Sequence, residues 1–181
     1  MPILGIMASS RPSFELVGSY DSLATVTVPS GGVSTVTFAG IPSGYKHLQL
    51  RGFINVSTGN NPAIRFNSDS ASNYSRHGIY GDGSSALAFA ASSVTFIGIA
   101  QALGLGTNKF GAAIVDILDY ASVNKTKTVR ILCGFDANNP GGIELDSGAW
   151  YNSSTAINTI TLTSQTGVFN EYSSFALYGI R

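Results

Sequence analysis

A chain of 181 residues is one domain by length, large enough to bury its own core. Ten basic and ten acidic residues cancel, which argues against electrostatic capture of nucleic acid or of an anionic membrane. Only 11% of residues are charged, against roughly 25% in ordinary soluble domains, so much of the surface must be Ser, Thr, Asn and Gly or be covered by other subunits.

Glycine is abundant, 21 residues, which suits tight turns between short strands. Cys133 is the single cysteine, so no internal disulfide can form. Within VRILCGF it reads as a small buried hydrophobe. No run approaches the roughly 18 uncharged apolar residues of a membrane span.

The opening MPILGIMASS is apolar, but it lacks the basic residues that begin a signal peptide and is very short for one. Residues 1–20 therefore read as an extended arm whose Ile3, Leu4, Ile6 and Met7 seek a partner surface. Residues 21–181 form the folded domain. Ala24 to Val28 alternates apolar with polar, Pro29-Ser30-Gly31-Gly32 turns, and Val33 to Phe38 alternates again, which predicts a hairpin. In KHLQLRGFINV, Leu48, Leu50 and Phe53 are set inward and His47, Gln49 and Arg51 outward. Asn55 to Asn61 is a polar connection, and AIRFN is another short strand.

Asn67 to Asp82 is the most polar part and reads as a loop carrying Asp69, Asn73, Tyr74, Arg76, His77 and Asp82. Ser84 to Ala91 admits a helix, whereas Ser92 to Ile99 reads as strand because Val94, Phe96, Ile97 and Ile99 are strand formers. Gly111 to Leu118 and KTKTVRILCGF give two more strands. Three follow near the end: the first marked by Ile143, Leu145 and Trp150, the second by Ile157, Ile160 and Leu162, the third by Phe175, Leu177 and Ile180. TITLT shows the period of two plainly, and the last strand predicts a C-terminus stitched into a sheet. Strands about ten residues apart, turn signals between them and no convincing amphipathic helix predict an all-β fold, an antiparallel β-sandwich.

Chemistry is sparse. His47 and His77 are the only histidines, and no GxSxG elbow accompanies them. NSDSASN offers oxygens from Asn67, Asp69 and Asn73 but lacks the glycine and the bidentate glutamate of a calcium loop. His/Cys spacing for zinc is absent, so no metal and no cofactor is expected. Asp116 and Asp119 lie three apart and would face opposite ways in one strand. Glu144 and Asp146 share a strand face, a pair that reads as a solvated or subunit-facing edge rather than a glycosidase dyad. No catalytic residue is assigned. The sequons at Asn55, Asn73, Asn124 and Asn152 follow from composition.

Four phrases together carry a resemblance: MPILGIMASS, IPSGYKHLQLRG (41–52), FNSDSASNYSRH (66–77) and the ending SGAWYNSSTAINTITLTSQTGVFNEYSSFALYGIR. In order and spacing they resemble a family of small virion structural proteins of tailed bacteriophages, over nearly the whole chain. The resemblance implies a sandwich of jelly-roll type, displayed on the particle surface in several copies. It points to a capsid cement or decoration protein, a homotrimer seated over junctions of the major capsid protein, with neither nucleic acid nor membrane as partner. Ile3, Leu4, Ile6 and Met7 of the arm, with Trp150, Tyr151, Phe169 and Tyr172, are then the candidate anchors, aromatics being the usual hot-spot residues. The alternative is the tip of a head or tail fibre that binds host-surface glycan, with Asp69, Asn73, Tyr74, Arg76 and His77 as its receptor loop.

Overall fold

The computed structural model describes residues 18–59, 61–100, 105–106 and 108–181. The expected arm residues Ile3, Leu4, Ile6 and Met7 lie outside them. Among the described residues every regular element is a strand: β1 (Tyr20–Thr27), β2 (Thr35–Ala39), β3 (His47–Ile54), β4 (Ala63–Phe66), β5 (Tyr74–Gly81), β6 (Ala86–Val94), β7 (Ile97–Gly98), β8 (Gly111–Leu118), β9 (Lys127–Asp136), β10 (Gly141–Trp150), β11 (Thr159–Thr163) and β12 (Ser174–Ile180). They build two antiparallel sheets. One has eight strands in the order β1-β12-β3-β8-β9-β10-β5-β6, the other four in the order β2-β11-β4-β7.

Between the sheets lies one core. The large sheet contributes Leu48, Leu50, Val115, Ile117, Val129, Ile131, Phe175 and Leu177, and the small one Val36, Phe38, Ile64, Phe66, Ile160 and Leu162. Strand β9 shows the cause most clearly, since every second residue from Lys127 to Phe135 is buried while Thr128, Arg130 and Leu132 are exposed. A strand turns alternate side chains to opposite faces, and the register sets the buried residues of β9 beside those of its neighbours β8 and β10.

Four sequence expectations change. The hairpin over Ala24–Phe38 does not form: β1 pairs with β12 in the large sheet and β2 with β11 in the small one. The turn itself is as expected, closed by Gly32 N–H to Pro29 C=O, but Val33 then exchanges both backbone bonds with Phe169 and carries the chain across the sandwich. Alternation reports the period of a strand and not the identity of its partner. The helix at Ser84–Ala91 is strand β6, paired residue by residue with β5, which itself takes up most of the expected polar loop. Phe53 faces out and stacks on Phe110, 4.7 Å between centroids, because strict alternation from Leu48 and Leu50 turns Ile54 inward instead. A Cβ at Gly52 would collide with the Ile54 side chain, so this glycine makes room for it.

Candidate functional site: the outer face and the β5–β6 wing

Four of the expected site residues turn out to be structural. Trp150 is fully buried among Phe66 and Tyr74, and its indole N–H donates to Asp69 Oδ2 at 2.7 Å. Phe169 is buried edge-on against Phe175. Tyr74, the first residue of β5, points into the core, where its hydroxyl accepts from Phe66 N–H and donates to the Asp69 carbonyl. Burial pushes that phenol up to about 12. Asp69 is thus a clamp. Burial opposes its ionisation, but donors from Asn73, Trp150 and the Ala71 N–H outweigh that and hold its carboxyl below the usual range. Beneath the indole lies Lys127, whose ammonium donates to the Asn152 carbonyl at 2.9 Å and sits 5.4 Å from the ring centroid. Burial lowers its pKa.

The other expected residues scatter. Tyr151 is exposed, its hydroxyl 3.0 Å from Ser75 Oγ. Tyr172 is exposed at the rim of a cleft of about 540 Å³ shared with Asn55, Phe110, Asn170 and Glu171. Asn73 is exposed but tied to Asp69. Arg76 and His77, neighbours in β5, necessarily face opposite sides of the sheet. The five residues of the expected receptor loop are therefore divided between the Asp69 clamp and the two faces of β5.

Arg76 points to the inner side. Its Nη2 lies 2.6 Å from Glu144 Oε1 and 2.6 Å from Asp146 Oδ2, and its guanidinium rests 4.5 Å from the centre of the Phe89 ring. Both carboxylates are buried, so the pair expected on a solvated edge is an internal ion triad. Burial first, and the adjacent Glu144 carboxylate, push Asp146 up to about 7, against the pull of Arg76. A Cβ at Gly78 would strike the Asp146 carboxylate and the Phe89 ring, and one at Gly98 would strike the Arg76 guanidinium. Two glycines thus leave the space that the triad occupies.

The opposite, outer face carries the feature that the sequence reading missed. Register places Ala88, Ile79, Leu145, Leu132 and Ile114 side by side across β6, β5, β10, β9 and β8. Ile79 is 57% exposed, Leu145 48%, Leu132 43% and Ile114 41%. At the usual strand spacing this uncharged row is roughly 19 Å wide. Beside it runs a second row, Gly81, Ile143, Gly134, Ala112 and Phe53, in which Ile143 and Phe53 are exposed. On the other flank the row is polar: His77, Ser147, Arg130, Asp116 and Gln49. There Asp116 accepts from Gln49 and from Arg130, at 2.8 and 3.3 Å.

Parity in IELDSGAW was the available signal. Trp150 is buried, so Gly148, Asp146 and Glu144 share its face and Ile143 and Leu145 must look outward. Searches of protein-family models, curated proteins and solved structures find no match to this chain.

Proposed function

We propose that the chain is a structural protein of a tailed-phage particle that works by adhesion, most concretely a capsid decoration protein bound across junctions of the major capsid protein. The observation that carries this reading is the uncharged apolar row on the outer face of a rigid sheet. Contiguous exposed apolar surface of this kind marks an interaction site. Backbone hydrogen bonding across five strands fixes its shape, so little order has to be gained on docking. Bound only to the assembled shell, such a protein stabilises it by mass action.

The strand order supports a jelly-roll reading, the architecture of many viral capsid domains. β1-β12-β3-β8 and β2-β11-β4-β7 form its two halves, and β5–β6 and β9–β10 are insertions that widen one of them. The resemblance to virion structural proteins agrees with this, and so does the low charge. The reading assigns no catalytic role.

The test is copy number in purified particles, by mass spectrometry against the major capsid protein. Hundreds of copies in fixed ratio to the shell protein are expected. A few to a few dozen would replace this reading with the host-recognition fibre tip.

A further inference from the structure

We infer that the chain pairs with a second copy of itself, edge to edge, through strand β6. Among the described residues β6 ends the large sheet and is paired on one side only, with β5. Its nine residues, ALAFAASSV, contain no charge and no proline. Natural edge strands are commonly short, charged, bulged or covered, because a free row of N–H and C=O groups templates another strand. The opposite edge obeys that rule: β1 carries a bulge between Ser22 and Ala24, and its Asp21 is held by Arg181. β6 is long and uncharged, and its one irregularity lies at its far end, where Ser93 adopts a φ of 54°.

The row of backbone groups sets the occupant as a strand, and the side chains fit the same strand. An antiparallel two-fold pair centred on Phe89 sets Ala88 of one copy opposite Ala90 of the other, and Leu87 opposite Ala91. Small residues meet on the outer face and no like charges meet anywhere. Leu87 is 61% exposed on the inner face. An apolar hollow of about 390 Å³ lies at this wing, lined in part by Ile79, Tyr80, Leu87, Ile143 and Leu145. The pair is isologous, closes at two copies and covers both free edges. In this register both outer apolar rows lie on one face, offset by two residues, because Ala88 meets Ala90, which stands in line with His77 and Ser147. The inference stands on the edge alone and does not depend on the particle reading.

Sedimentation of the full chain across the micromolar range tests it, with the double variants A88K/A90K and A88E/A90E. The expected result is a two-chain species for the natural chain, association at least about tenfold weaker for each variant alone, and recovery when the two variants are mixed. A natural chain that stays single or forms three-chain rings overturns the inference, as does undiminished pairing of either charged variant. So does a pair that dissociates with I3D/I6D but not with charges on β6, since the N-terminal segment would then be the occupant. Should the charged variants fail to fold, hydrogen exchange of the natural chain decides. Protection of β6 amides that rises with protein concentration is expected, and fast, concentration-independent exchange overturns the pairing.

Discussion

The two ends of the eight-stranded sheet use the same ion chemistry to opposite effect. At the β1 end Arg181 holds Asp21 in the open, with both side chains partly solvated. At the β5–β6 end Arg76 holds Glu144 and Asp146 out of water. An exposed pair gains little, because water and salt already screen both charges. A buried set adds little over an apolar core, yet removing its cation strands uncompensated charge. The charge at the first end guards an edge. At the second it sits within the wing, and the edge strand β6 carries no charge.

Arg76→Ala should be the most damaging change at either end, costing about 3–5 kcal/mol in urea unfolding. Arg181→Ala should leave the unfolding midpoint unchanged within error, and equal losses from the two would end the distinction. Next in size is Asp69→Ala, which removes the acceptor of the Trp150 indole and should cost about 1–3 kcal/mol.

The pH dependence sharpens the contrast further. Asp146 titrates near 7 in the fold but at the ordinary carboxylate value when unfolded. Between about pH 4 and 7 the native state therefore binds the extra proton, and stability falls as pH rises through that window. Melting should occur several degrees higher at pH 5 than at pH 8, and Asp146→Asn should flatten the difference. A natural chain more stable at pH 8 than at pH 5 would contradict the raised value. Smallest in stability, and largest in function, is the pair Leu132→Ser and Leu145→Ser. Each should change unfolding by no more than about 0.5 kcal/mol, as surface substitutions do. Together they should abolish binding to purified shells in a co-sedimentation assay.

The strands were legible where a single face is apolar. TITLT and SSFALYGI announce β11 and β12 because Ile160, Leu162, Phe175 and Leu177 all enter the core. β5 and β10 were legible only in part, because their buried face is ionic and their exposed face aliphatic, the reverse of the usual pattern. Read by hydropathy alone, Leu145 goes in and Glu144 goes out; only Trp150, in phase with the acid, says otherwise. Tyr74 and Arg76 looked like loop residues for a related reason. The partners that bury them, Asp69, Glu144 and Asp146, are polar too, and most lie far away in sequence. Partner choice was closed to inspection as well, as the unformed β1–β2 hairpin shows.

The antiparallel pairing of β1 with β12 joins the first and last described strands. A sheet completed only by its final strand folds slowly, since the closing contact spans nearly the whole chain and most of the loop entropy must be lost before it forms. On the ribosome β1 cannot make this pairing until β12 has left the exit tunnel. A truncated or stalled product would expose apolar strand edges along its length. The seven residues of β12 therefore decide whether the strands made before them can close into a sheet.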